Sequence, residues 1–387
     1  MNPAPRPAPA ARHTRPQTVL IVPDKFKGTL SAQQAARAIA RGWSQARPQD
    51  RLELLPMSDG GDGFGSILGA ALGASVSSTR GIDAAGRPCR VPWWQRRHPP
   101  IAIVESAHTI GLAMLPPGQF HPFQLDTTGL GRLLNSIWRR DLSTCLIGIG
   151  GSATNDGGFG MARALGWQFL DRNRQPIESW PDLVRLRSLL PPVQRPNLEL
   201  IVATDVLNPL LGPQGASRIY GPQKGLRPQD QPAAEAALRQ LAKVTRDHLG
   251  IDHAIRPGAG AAGGLGFGLM AFLAAQPKPG FEVFADYARL NQYLDEARLV
   301  ITGEGAVDPS SLMGKGVGQL ATRCRRRKIP CLAMGGLTID VPQLRRHFAR
   351  VAALTDLTSP DQARTRPAYW LTRLAKKVAH SLDDGRS

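Results

Sequence analysis

Residues 144–166 read TCLIGIGGSATNDGGFGMARALG. The apolar run from Cys145 to Ile149 has the length and composition of a buried strand. It stops at Gly150-Gly151, passes through Ser152, Thr154, Asn155 and Asp156, and then enters a helical pattern after Gly157-Gly158. Strand, polar glycine turn, helix: at such a junction backbone N–H groups and small polar side chains gather at a helix N-terminus, where anions are favoured. Glycine lets the chain approach a ligand closely or turn through positive φ.

The same pattern recurs on either side. TVLIVP (Thr18–Pro23) reads as a strand followed by the loop DKFKGTL, and RLELLP (51–56) by MSDGGDG. Further strand-like runs lie at 101–104, 198–203, 299–302, 331–334 and 351–354, with helical patterns at 228–249 and 369–382. Ser31 and Gln34 have the spacing of a capping box for a helix carrying Ala35, Ala36, Ile39 and Trp43 on one stripe. Alternating strands and helices predict an α/β fold with mainly parallel strands. The turn-rich segment 81–100 and QPKPG at 276–280 mark changes of character. They divide the chain into a discontinuous α/β domain (18–80 and 281–387) and an inserted α/β domain (81–280). Residues 1–17, rich in Pro, Ala and Arg, read as a disordered basic tail without the apolar core of a signal peptide.

Composition narrows the function. No run approaches the ~18–20 apolar residues of a membrane span. The four cysteines are scattered without CxxC spacing, which suits the reducing cytoplasm and argues against a zinc site. The formal charge of +18 suggests nucleic acid, but the arginine clusters at 96–97, 139–140 and 325–327 are short, dispersed and not interleaved with aromatics. A small anionic substrate together with an arginine bias is the better account.

Each strand end carries acids, hydroxyls or lysines beside glycine: Asp24, Lys25 and Lys27; Asp59 and Asp62; Asp156; Asp205 and Asn208, then Lys224; Glu304, Asp308 and Lys315. In parallel α/β sheets ligands bind at these C-terminal strand ends. Carboxylates for Mg²⁺, lysines for phosphate oxygens and glycine-rich backbone for the remaining donors are the parts of phosphoryl transfer. Any one of these acids is more simply a turn or cap residue; the set of loops together points to a site. GAGAAG at 258–263 matches GxGxxG but follows HAIRP rather than a strand, so it reads as a tightly packed run or a phosphate lining, not a dinucleotide fingerprint. Gly314-Lys315 is followed by Gly316, so it is no Walker P-loop, and neither a kinase HRD/DFG set nor a hydrolase GxSxG is present.

Taken in order, PDKFKGTLSAQQAA, SDGGDGF, IGIGGSATNDGGFGMARALG, ATDVLNPLLGPQGASRIYGPQKG, PGAGAAGGLGFGLMAF and LVITGEG with Asp308 and Gly314-Lys315 resemble the type I glycerate kinase family, over about residues 18–335. The resemblance implies a Rossmann-like parallel α/β domain built from both chain ends, a second α/β domain inserted between, and an active site in the cleft. It implies ATP and Mg²⁺ as cofactors and D-glycerate as the acceptor, with 2-phosphoglycerate favoured as product over 3-phosphoglycerate. Three positions depart from the family pattern: Ala306 stands where it usually has Arg, Ser310 where it has Gln, and Arg132 where it has Glu. Alanine cannot replace the guanidinium fork that clamps a carboxylate or phosphate.

On this reading Asp205 orients or deprotonates the acceptor hydroxyl, with Asp156 the alternative, and Lys315 joins them as a catalytic residue. Asp59, Glu304 or Asp308 would hold Mg²⁺. Lys25, Lys27 and Lys224 would meet phosphates or the substrate carboxylate, with Ser152, Thr154, Asn155, Asn208, Gly258, Gly260, Gly263 and Gly264 completing the binding set. A homo-oligomer is compatible with the sequence; a membrane partner is not expected. The rival readings are a ligand-binding or altered-substrate member of the same fold, prompted by Ala306 and Ser310, and a nucleic-acid-associated protein, prompted by the charge.

Overall fold

A computed structural model describes residues 16–194, 198–314 and 316–383. Along the chain the first strands are β1 (Thr18–Pro23), β2 (Arg51–Leu54), β3 (Ser75–Ile82), β4 (Pro88–Arg96), β5 (Ile101–Glu105) and β6 (Thr144–Gly148). They are followed by β7 (Gln168–Leu170), β8 (Ser188–Leu190), β9 (Glu199–Ala203), β10 (Gln276–Lys278), β11 (Leu299–Val307), β12 (Cys331–Thr338) and β13 (Arg350–Ala353). The chain divides into two units, one formed by the residues up to 57 with those from 290 onward, the other by residues 58–289. The mixed α/β class with parallel sheets is as expected.

In the terminal unit all strands are parallel, in the order β13-β12-β11-β1-β2. Val19 to Val22 are fully buried, as a central strand covered on both faces requires. The Ser31 capping box forms, with Gln34 N donating to Ser31 Oγ at 3.2 Å and Ser31 N to Gln34 Oε1 at 2.9 Å. It starts the helix Ala32–Ala46, which buries Ala35, Ala36, Ile39 and Trp43. That helix packs on the helix Pro367–Asp383, and the approach is close because a Cβ at Gly42 would lie 2.0 Å from Thr372 O. Truncating the wholly buried Trp43 would cost about 3–5 kcal/mol.

The 58–289 unit holds a six-stranded sheet, β10-β9-β6-β5-β4-β3, parallel from β10 to β5 and antiparallel through β4 and β3, with a separate β7–β8 pair. Here the expected boundaries are corrected. The break at 80/81 falls inside β3, and the turn-rich segment 81–100 holds the end of β3, the hairpin turn and β4. Asp83 holds its turn, accepting from Ala85 N and Arg87 N at 2.9 Å each and pairing with the Arg87 guanidinium at 2.7 Å. The break at 276–280 is likewise internal: β10 pairs with β9, and Gly280 opens the helix Gly280–Tyr287. The basic tail expected at 1–17 lies outside the described residues except for Pro16 and Gln17.

Candidate active site

In the 58–289 unit, β5, β6 and β9 finish in line, with Glu105 opposite Gly148 and Gly148 opposite Ala203. Glu105, buried at the end of its strand, accepts from Gly63 N and Gly65 N at 3.0 Å each. It thereby ties the SDGGDG loop and the start of the helix Phe64–Ala71 to the sheet. Gly150 N donates to Gly60 O at 3.1 Å, and a Cβ at Gly151, where φ is +75°, would lie 2.9 Å from Asp62 Oδ1. Only glycine fits there without moving the carboxylate.

The following segment turns inward. Lys224 Nζ, buried, donates to Ser152 Oγ at 2.9 Å and to Thr154 O at 2.7 Å. Burial pushes its ammonium down to about 7, opposed by the nearby charge of Asp156. Asn155 donates through Nδ2 to Ser217 Oγ at 2.9 Å. Thr154 Oγ1 and Asn155 Oδ1 are buried with no hydrogen-bond partner among the described residues. Asp156 has no exposed surface. Its Oδ2 accepts from Thr127 N at 2.9 Å, Thr127 Oγ1 at 2.7 Å and Gly160 N at 2.9 Å, and its Oδ1 from Gly158 N at 3.2 Å. Burial above all, then the charge of Asp126, raises its pKa to about 6 despite these donors. This geometry makes Asp156 a clamp between the starts of the helices Thr128–Trp138 and Phe159–Ala164, with no surface left for a substrate.

The glycine run behaves as packing. A Cβ at Gly260 would lie 2.2 Å from Pro209 O, at Gly263 1.9 Å from Thr154 O, and at Gly264 2.8 Å from the Gly157 Cα. Gly258, at φ +86°, sits against Thr204 and Val206 O at 3.4 Å. On the side where a Cβ would stand, Gly260, Gly263 and Gly264 meet the protein's own backbone, so close packing alone requires glycine at these three positions. Asn208 is similarly engaged: Nδ2 donates to Gln214 O and Oδ1 accepts from Tyr220 Oη, both at 2.8 Å.

Asp205, just beyond β9, differs. The residue is exposed, while its Oδ1 accepts from Gly280 N at 2.7 Å at the start of the helix Gly280–Tyr287. Crowding of the carboxyl by protein lifts its pKa to about 6; the Gly280 N–H opposes this, and the charges of Asp59 and then Glu282 add to it. Asp59 thus shares Asp205's surroundings, and a Cβ at Gly280 would meet Asp59 O at 2.0 Å.

In the terminal unit, Asp24 N donates to Gly303 O at 2.8 Å, and Asp24 Oδ1 accepts from Lys25 N at 2.7 Å. Lys27 is exposed and Lys25 half-buried. The Lys27 backbone N lies 3.2 Å from where a Cβ at Gly305 would stand, so the Asp24–Lys27 loop adjoins the stretch of β11 that carries Glu304. Asp308 Oδ1 accepts from Ser310 N at 2.8 Å and Ser311 N at 3.3 Å, capping the short helical turn Pro309–Leu312. Lys315 lies outside the described residues. Among the described residues no group of three or more His, Cys, Asp or Glu side chains is arranged to hold a metal ion. Asp59 belongs to one unit, and Glu304 and Asp308 to the other.

The glycerate kinase family model matches residues 19–383. The chain belongs to the glycerate kinase family. It is 36% identical over 325 residues to a glycerate kinase of Halalkalibacterium halodurans, covering 82% of this chain and 85% of that one. It is 34% identical over 375 residues to the glycerate 2-kinase of Escherichia coli, covering 95% and 98%. A solved structure from Salmonella typhimurium, provisionally assigned as a glycerate kinase 2, superposes with a TM-score of 0.82 at 30% identity, covering 96% of this chain and 99% of that one. The family membership makes the chain a kinase. No helix among the described residues is long and apolar enough to cross a membrane. Sequence reasoning missed Glu105 and Thr127, whose partners lie tens of residues away along the chain; a buried acid closing an apolar strand was the available signal for the first.

Proposed function

We propose that this glycerate kinase family member transfers the γ-phosphoryl group of ATP to the 2-hydroxyl of D-glycerate, giving 2-phosphoglycerate in the cytoplasm. The observation that supports this most is Asp205: a carboxylate on an exposed residue at a parallel strand end, crowded by protein, braced by the N–H of Gly280 and raised to about 6, is a base poised near working pH. Asp205 takes the hydroxyl proton as the substrate oxygen forms its bond to the γ-phosphorus, and the bond to the ADP oxygen breaks in line. Lys25 and Lys27 neutralise phosphate or substrate carboxylate. Lys224 and Asp156 are positioning residues, holding the Ser152–Asp156 segment from within.

Two adjacent carboxylates that repel each other suit a divalent cation, and Mg²⁺ is commonly held by one or two carboxylates together with substrate phosphates. Asp59 would hold it, leaving Asp205 beside it as the base. Mg²⁺ there would neutralise charge on the phosphate oxygens. Asp308, in the terminal unit, is the alternative ligand; like Asp59, whose Oδ1 accepts from Gly61 N at 2.9 Å, it gives one carboxylate oxygen to its own loop. A second reading, an altered 2-hydroxy acid as acceptor, rests on Ala306, which lies half-buried in β11 opposite Leu337 and offers no fork to a carboxylate.

The test is ATP consumption by the purified chain with Mg²⁺ and D-glycerate, L-glycerate, glycolate or no acceptor, with the product's phosphate position read by NMR. Turnover with D-glycerate and a 2-phosphate product is expected. Turnover with glycolate alone would favour the second reading, and none with any acceptor would defeat both.

A further inference from the structure

The parallel sheet of the terminal unit has another end. Where β1, β11, β12 and β13 begin, Leu299, Leu332 and Val351 contribute to the floor of a cavity of about 850 Å³. The helix Pro367–Asp383 lays Leu374, Lys377, Val378 and Ser381 along it, a spacing that keeps one helix face on the cavity. This edge is opposite the strand ends that carry Asp24, Lys25 and Glu304.

Its charge is predominantly positive. Arg298, Arg345, Arg350 and Lys377 stand around the apolar floor. Arg47 also lines the cavity, but its guanidinium is bound to Asp50 at 2.7 Å with both side chains buried. Arg350 donates to Ser381 Oγ. Arg298, Arg345 and Lys377 are exposed and have no carboxylate partner among the described residues. The carboxylate in the lining, Asp356, accepts from Ala353 N at 2.8 Å. Like charges gathered beside low-dielectric side chains repel one another, and an anion seated among them relieves that repulsion. The apolar floor adds a second preference, because a bare inorganic ion would leave it wet. The chain's own first fifteen residues are a poor occupant, since Arg6, Arg12 and Arg15 make them basic.

We propose that this cavity binds a small organic anion, one that joins an apolar aliphatic or aromatic body to a phosphate, sulfonate or carboxylate group. The apolar body rests on Leu299, Leu332 and Leu374, and the anionic group meets Arg298, Arg345 and Lys377. The site is distinct from the strand-end residues assigned to catalysis and does not depend on that assignment.

The probe is 8-anilinonaphthalene-1-sulfonate, which carries both features, titrated by fluorescence against the full-length chain. Saturable binding of one molecule per chain is expected, weakening as salt rises. Arg298→Glu combined with Lys377→Glu, at exposed positions, should lower affinity at least tenfold while leaving the circular dichroism spectrum, the Tm and ATP turnover with glycerate near wild type. Ser381→Trp, which fills the cavity without altering its charge, should give a comparable loss. Binding that does not saturate, or that neither variant weakens, would overturn the proposal; the cations would then only offset the helix C-termini that end nearby. Displacement of the probe by ATP at the concentration that half-saturates turnover would also overturn it, by placing the probe in the nucleotide site.

Discussion

Asp156 and Asp205 are the same residue type, both follow parallel strands of one sheet, and both carboxyls are raised to about 6. Their surroundings are opposite. Asp156 has no exposed surface and spends its oxygens on Thr127, Gly158 and Gly160. Asp205 is exposed, is braced by Gly280, and has Asp59 nearby. A raised pKa by itself does not identify a catalytic acid or base; burial among internal donors produces the same value as a poised site. What separates the two is whether a substrate atom can reach the carboxylate. The buried aspartate holds the loop, and the open one is available to do chemistry.

The sharpest way to break that distinction is Asp205→Asn. The amide oxygen still accepts from Gly280 N, so the fold should persist with a Tm near wild type, while kcat with D-glycerate should fall by about 10²–10⁴. Wild-type kcat should rise with pH as the carboxyl ionises, with a midpoint below 6 once Mg²⁺ offsets the charge of Asp59, and this limb should be missing from the residual activity of the variant. A variant keeping more than a tenth of wild-type kcat would remove Asp205 from the base role.

Asp156→Ala should reverse the pattern, with stability lost first. The Thr127, Gly158 and Gly160 N–H groups would be buried without an acceptor, costing about 3–5 kcal/mol in urea melts, given about 1–3 kcal/mol for each stranded group and partial relaxation. Asp156→Asn should recover part of the loss. It should also abolish one pH dependence: because the folded pKa lies above 3.8, the wild type loses stability from this group as pH rises from about 4 through 6.

Lys224 sharpens the same point with a smaller effect. Its folded pKa is lowered from 10.5 to about 7, so the folded state gives up a proton that the unfolded chain keeps. Its stability penalty is therefore full below pH 7 and is relieved as pH rises from 7 to 10.5. Lys224→Met should be neutral or stabilising at pH 7 by about 1–3 kcal/mol, should flatten that rise between pH 7 and 9.5, and should still lower turnover by loosening Ser152 and Thr154. A marked loss of stability at pH 7 would show that the ammonium anchors the fold after all.

The fold was legible where burial writes itself into the sequence. The central strands are apolar runs stopped by glycine loops, and the eight strands expected are present, β1 with the expected ends and the other seven displaced at one or both ends by one to several residues. The β3–β4 hairpin was not legible, because Ser75 to Arg80 alternate toward solvent with little apolar signal, and Pro88 and Pro92 read as turn residues. Of the candidate site, the loops and their order could be read, since each strand end carries its own acid or lysine. What could not be read was which side chains turn inward. Asp156 and Asp205 look equivalent on paper, and the difference comes from Thr127, 29 residues from one, and Gly280, 75 residues from the other. The glycines at 258–264 were ambiguous for the same reason, because a backbone that must approach another backbone and one that must approach a phosphate call for the same residue.

Gly28, in the loop that carries Lys25 and Lys27, supplies the mildest test. Its φ is +78° and nothing lies within 4 Å of where a Cβ would stand, so Gly28→Ala meets no clash and bears only the strain of left-handed backbone, about 1 kcal/mol. Stability should drop by about that amount in a urea melt. If the loop acts by presenting its lysines to a phosphate, KM for ATP or glycerate should rise more than kcat falls, because the loop would adopt its binding shape less often. An unchanged KM with the expected loss of stability would mean that Lys25 and Lys27 do not touch substrate in the rate-determining complex.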